Sequence, residues 1–204
     1  MLISWNWLKQ YVKLDISVDE LTHRLTMTGL NHESTSDVEG DIAIDLEVTS
    51  NRPDCLGHIG IARETAVVLG RDTTLPQVTF PTGSPGAAEL TRVEITCPDL
   101  CPRYSARVVR GVKIGPGPDW MRRRLAACGI SCINNVVDVT NYVLLEASQP
   151  LHVFDYDKLA EHRIVVRRAQ SGETIVAINQ KRYELQRDMC VIADASRAVA
   201  VAGV

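Results

Sequence analysis

No run of apolar residues in this 204-residue chain approaches the ~20 needed to cross a bilayer. The amino terminus (MLISWNWLKQYV) lacks the basic region, apolar core and cleavage site of a secretory signal. A P-loop, a Gly-rich dinucleotide fingerprint and an HExxH pair are missing as well. No segment repeats. Charge of one sign is also scarce, with 22 Lys+Arg against 25 Asp+Glu and a net charge of −3. A dedicated nucleic-acid binder is usually more basic. With 45% hydrophobic and 23% charged residues the composition is ordinary, which excludes a disordered tail, a collagen-like repeat and a coiled coil. A cytoplasmic globular protein is expected, with no membrane association and no cofactor bound to this chain.

The charge that is present is unevenly spread. Residues 1–72 carry twelve acidic and six basic side chains, a balance of −6. The remainder carries thirteen acidic and sixteen basic, a balance of +3, so any phosphate contact is expected there. The six cysteines include two CxxxC pairs. Zinc sites more often use CxxC, so these read as reduced thiols packed as small hydrophobes, and no metal site is expected.

Local signals place the elements. Trp5, Leu8 and Tyr11 recur at helical spacing, and Ser17-x-x-Glu20 forms a capping box before a helix that Gly29 stops. Ile42, Ile44, Leu46 and Val48 alternate with polar residues or alanine, which predicts a half-buried strand. A helix over about 59–69 ends at Gly70. In Asn51-Arg52-Pro53-Asp54, Asp54 is placed to cap that helix, and Arg52 is structural or meets a partner. Pro and Gly crowd the stretch from 73 to 89, which no regular element tolerates. The expected division is therefore an N-terminal module over 1–72, a linker over 73–89 and a second domain over 90–204.

That second part predicts strands at 93–95, 104–114, 164–168, 174–178, 183–185, 190–193 and from 199 onward. A helix starts near Pro118 and ends at Gly129, and another follows Asn134. The fold class is α+β. The chain closes on the apolar run Ala198 to Val204, which reads as an unfinished strand and predicts truncation of this domain at its C-terminal end.

Six ordered segments carry a family resemblance: ISWNWLKQYV, LTMTGL, SNRPDCLGHIGIARE, CPRYSARVVRGVKIGP, INNVVDVTNYVLLE and QPLHVFD. Together they resemble the start of the bacterial phenylalanyl-tRNA synthetase β subunit. The closing VIADASRAVAVAGV also matches a strand and turn of that family. The resemblance implies an N-terminal module followed by an editing module, and it covers nearly the whole chain. It departs from the family in two respects, one being that the family's later catalytic-like and anticodon-binding modules are not among these residues. Only about a dozen residues separate Gly29 from Ile42, too few for the OB-fold tRNA-binding insert that bacterial subunits usually carry there.

By that resemblance the function is phenylalanine-tRNA aminoacylation, with hydrolysis of tyrosine misattached to tRNA(Phe). A phenylalanine pocket rejects an added hydroxyl only incompletely, so a second site re-reads the product. Ester hydrolysis needs a positioned water and a stabilised oxyanion. The resemblance assigns His152 and Thr140 to the editing pocket. Asn134, Asp138 and Asn141 are expected as structural support around them. The family's acidic residue that reads the tyrosine hydroxyl falls beyond Val204. By its residues alone, a histidine between Leu151 and Val153 reads more simply as a packed side chain.

Arg122, Arg123, Arg124 and Arg110, with Arg103, Arg107 and Lys113, make the densest basic cluster and the candidate RNA contact. The implied partners are the synthetase α subunit in an α2β2 assembly and tRNA(Phe). ATP and magnesium belong to the whole enzyme. Two alternatives stand beside this reading: a free-standing trans-editing hydrolase and a non-catalytic module that packs on the α subunit.

Overall fold

The structure, a computed structural model, describes residues 1–202. In chain order its elements are β1 (Leu2–Ser4), α1 (Trp5–Leu8), α2 (Val18–Met27), β2 (Asn31–Val38) and β3 (Asp41–Glu47). Then come α3 (His58–Leu69), α4 (Ala87–Leu90), β4 (Arg92–Ile95), α5 (Asp119–Ala127) and α6 (Asn135–Ala147). The last strands are β5 (Arg163–Arg168), β6 (Thr174–Val176), β7 (Arg182–Glu184), β8 (Cys190–Ala193) and β9 (Ala198–Val201). The α+β class read from the sequence stands. The rest of the terminal strand expected from 199 onward, at 203–204, lies outside the described residues.

The chain forms two units, Met1–Thr79 with Lys113–Val153, and Phe80–Val112 with Phe154 onward. This corrects the expected continuous domain over 90–204. The cause is side-chain burial: Cys128 of the turn after α5, with Tyr142 and Leu145 of α6, packs into the core of the first unit. Local signals place α5 and α6 well but carry no information about which core they join.

In the first unit, Ser17 caps α2 by accepting the Glu20 amide at 3.2 Å, but the reciprocal half of the expected capping box does not form, since Glu20 Oε1 accepts from Arg24 Nε at 2.6 Å instead. Gly70 ends α3 with φ +61°, a left-handed residue that costs glycine nothing. β3 runs between β1 and β2 in an antiparallel sheet. Ile3, Ile44 and Leu46 from this sheet meet Trp7, Leu21, Leu25 and Ile61 in the core. β2 and β3 are joined by two left-handed residues, Glu39 (φ 53°) and Gly40 (φ 81°). A two-residue hairpin turn is thus all that joins β2 to β3, with no inserted module between them.

In the second unit the sheet order is β4-β5-β8-β9, with β4 parallel to β5 and the other pairs antiparallel. Ile164, Val166, Cys190 and Ile192 form its buried face with Cys97. Arg167 grips Glu173 through two hydrogen bonds of 2.8 and 2.6 Å, and both side chains are largely buried. That arginine holds the Glu173 carboxyl down at about 2. β6 and β7 make a separate hairpin.

The strand expected over 104–114 does not form. Val109, Val112 and Ile114 are 69%, 50% and 68% exposed, so these three have no core to face, although Tyr104 at the start of the segment packs on the core of the second unit. Periodicity reports a preference for extended chain, but a strand also needs a neighbour to complete its ladder. Among the described residues none pairs with this segment. Asp54 is a second correction. It does not cap α3, whose N-cap is Gly57, but takes two hydrogen bonds from Arg52 at 3.0 and 2.8 Å. Arg52 also donates to Glu64 at 2.7 Å, which fixes it as a structural residue.

Candidate functional site

The helix α6 organises the expected site residues. Asn134 caps it, accepting the Val136 and Val137 amides at 3.0 and 3.1 Å. Asn135 clamps the preceding segment: its side chain donates to the Lys113 carbonyl at 2.9 Å, and its amide donates to the Gly115 carbonyl at 2.7 Å. Asp138 is buried one turn on and accepts the Ile133 amide through Oδ1 at 2.8 Å. Asn141 follows on the same helical face and is half-buried. A Cβ at Gly117 would stand 2.9 Å from Asp138 Oδ2, so this approach needs a glycine. Asn134, Asn135 and Asp138 thus hold the residues before α6 against its first turn.

Thr140 sits in the second turn of α6, half-buried, with its hydroxyl donating to the Val137 carbonyl at 2.7 Å. The hydroxyl oxygen keeps lone pairs with which to accept. His152 lies past the end of α6, beyond the left-handed cap Ser148. It is exposed, and so are Leu151 and Val153 at 45% and 55%. The packed-residue reading of His152 is therefore corrected: the run of apolar neighbours does not enclose it.

The basic residues divide. Arg122 and Arg123 are exposed on α5 and line an open hollow of about 620 Å³ with Glu39, Asp119, Ser131 and Cys132. Arg124 turns inward. It donates to the Tyr142 hydroxyl at 2.6 Å, and its guanidinium lies 5.0 Å from the Trp120 ring centre and 5.5 Å from that of Trp7. Arg110 belongs to the second unit, exposed, and donates to the Ser84 carbonyl at 3.2 Å. Near it Arg107 stacks on Phe80 at 3.9 Å. The basic run read as one cluster is therefore shared between two units and includes a structural member.

Sequence reasoning singled out neither His58 nor Glu146. His58 is fully buried, stacked on Trp7 at 3.8 Å. Its Nε2 accepts the Ser4 amide at 3.0 Å and its Nδ1 faces the Leu145 carbonyl at 2.9 Å. Burial pushes its imidazole down to about 4, so it stays neutral. Both partners lie far away in sequence, and no local pattern announces them. All six cysteines are free thiols, and burial pushes Cys55 and Cys190 up to about 11 and Cys128 up to about 12.

A family model described as the B3/4 domain matches residues 100–204. The phenylalanine–tRNA ligase beta subunit of Rhodopirellula baltica is 50% identical over 204 residues, covering all of this chain and 30% of that protein. Its namesake in Anaeromyxobacter dehalogenans is 52% identical over 164 residues, 80% of this chain and 20% of that protein. The chain thus spans less than a third of the length of these relatives. An N-terminal fragment of the phenylalanyl-tRNA synthetase beta subunit from Pyrococcus horikoshii shares the fold, with a TM-score of 0.52 at 15% identity. That alignment covers 100% of this chain and 61% of the fragment. No helix among the described residues is long and apolar enough to cross a membrane. Matched by the family model over just over half of its residues, the chain belongs to the B3/4 domain family.

Proposed function

We propose that this chain serves phenylalanine-tRNA charging in the cytoplasm, as the N-terminal part of a phenylalanine–tRNA ligase β subunit. The observation that carries the reading is the 50% identity to such a subunit along every residue of the chain. The ligase chemistry, with its ATP and magnesium, then belongs to other parts of the enzyme, and the α subunit is the partner. Tyrosine misattached to tRNA(Phe) is the substrate of the editing step.

In that step a water attacks the ester carbonyl carbon, and the bond from that carbon to the ribose oxygen breaks. The ribose oxygen takes up a proton from the water, and tyrosine is released as the free acid. His152, exposed to solvent, orients the water by accepting its hydrogen. Thr140 accepts a hydrogen bond while its own hydrogen remains on the Val137 carbonyl. The amides of Val136 and Val137 are already taken by Asn134, so the oxyanion is held elsewhere. Arg122 and Arg123 are the exposed pair that meets the tRNA backbone.

The reading is tested by exchange. Grafted in place of the corresponding region of the Rhodopirellula baltica subunit and assembled with its α subunit, this chain should yield an enzyme that charges tRNA(Phe) with phenylalanine. Failure of the folded hybrid to assemble or charge contradicts the assignment.

A further inference from the structure

In the first unit, charges of both signs face one open hollow of about 620 Å³ without neutralising each other. Arg122 and Arg123 reach it from α5, and Glu39 reaches it from the turn between β2 and β3. Among the described residues, the one ion pair within its lining is the 3.4 Å contact of Arg122 with Asp119. Arg123 and Glu39 enter no ion pair there. Glu39 also holds its place at a cost. Its φ of 53° is left-handed, at a turn position that favours Asn, Asp or Gly. Its side chain is exposed, so no burial offsets that strain.

The two kinds of charge define what fits between them. A guanidinium only donates, so the occupant must bring anionic acceptors. A carboxylate only accepts, so the occupant must also bring donors. A ribonucleoside phosphate carries both: phosphate oxygens for the arginines and ribose hydroxyls for the glutamate. The volume lies within the ordinary range for ligands, about 300–1,000 Å³, and the open mouth lets a strand enter and leave. Ala126 and Ile130 supply a small apolar patch, and no aromatic ring among the described residues lines the hollow to stack a base.

We infer that this hollow seats one nucleotide of an RNA strand. Its phosphate lies on Arg122 and Arg123, and its 2′-hydroxyl, donating to Glu39, distinguishes it from DNA. The inference rests on the reading that tRNA is the substrate of this chain, and it uses neither His152 nor Thr140.

The test titrates the whole chain with tetra-adenylate RNA and with its deoxy counterpart, followed by amide chemical shifts. Saturable shifts are expected at Glu39, Arg122, Arg123 and Ser131, with the ribo strand bound about five-fold more tightly. Glu39→Gly should erase that preference while the chain stays folded, because glycine takes the left-handed turn without strain. Arg123→Gln should weaken both strands alike and lower the salt dependence of binding. Equal binding of the two strands by the parent chain overturns the inference, and so does a preference that survives in Glu39→Gly. Tighter binding of AMP than of tetra-adenylate also overturns it, by assigning the hollow to a free nucleotide. Tighter binding of free tyrosine, a zwitterion with both charges, does the same. Should the strands bind equally while the hybrid synthetase charges tRNA(Phe), this inference falls and the family reading stands.

Discussion

Trp7→Ala is expected to lower the stability of the first unit by about 4 kcal/mol, the range for deleting a large buried aromatic side chain. Trp7 has no exposed surface. Its ring stacks at 3.8 Å on His58 and 4.4 Å on Tyr142, so it joins α1 to both α3 and α6. Its indole also donates to Tyr11, whose hydroxyl would lose that partner inside a nearly sealed site. The cavity term adds to the lost burial, because the flanking rings are themselves pinned by hydrogen bonds. Urea unfolding monitored by tryptophan fluorescence isolates the effect. Trp5 and Trp120, which remain, both lie in the first unit. A loss below about 1 kcal/mol would mean that the stack does not hold this core.

Acid is expected to weaken the same unit through His58. An unfolded chain binds a proton on this histidine below about 6.5, whereas the folded chain resists until about 4. The cause is chiefly burial, with Arg124 adding repulsion against a second positive charge. Between those values the unfolded state holds more protons, so stability falls as pH falls from about 6.5 toward about 4. Above that window the histidine is neutral in both states and contributes no slope. The full loss is about 3 kcal/mol, from the size of the shift. Glu173 acts in the same direction in a lower window: its pairing with Arg167 is lost as pH falls from about 4.5 toward about 2. Urea midpoints measured at pH 7.5, 6 and 5 should therefore decline, and His58→Gln should flatten the decline. An unchanged slope in the variant would assign the acid sensitivity to other groups.

The parts of the fold that are legible in the sequence are those decided by near neighbours. Ser17, Gly70 and Asn134 reveal their caps because the groups they satisfy lie within a few residues. β3 announces itself by the alternation of Ile42, Ile44 and Leu46 with Ala43 and Asp45, although Asp41 and Ala43 on the other face are buried as well. β2 gives no such sign: its seven residues from Asn31 to Asp37 are all exposed, and only its hydrogen bonds to β3 make it a strand. The same limit misplaced the boundary between units, since Cys128 and Leu145 look alike whichever core receives them. For the site, the Asn134 cap is legible from residue type and position. His58 and Glu146 are not, because Ser4, Leu145 and Tyr11 reach them across 54, 87 and 135 positions. His152 was found through family resemblance, and the structure contributes its exposure.

The most direct test of the account is the rate at which Tyr-tRNA(Phe) is deacylated by the hybrid synthetase carrying this chain, with and without His152→Ala. The account predicts rapid clearance by the parent and a loss of about a hundred-fold or more in the variant, with phenylalanine charging unchanged. Clearance at the parent rate by His152→Ala would contradict it.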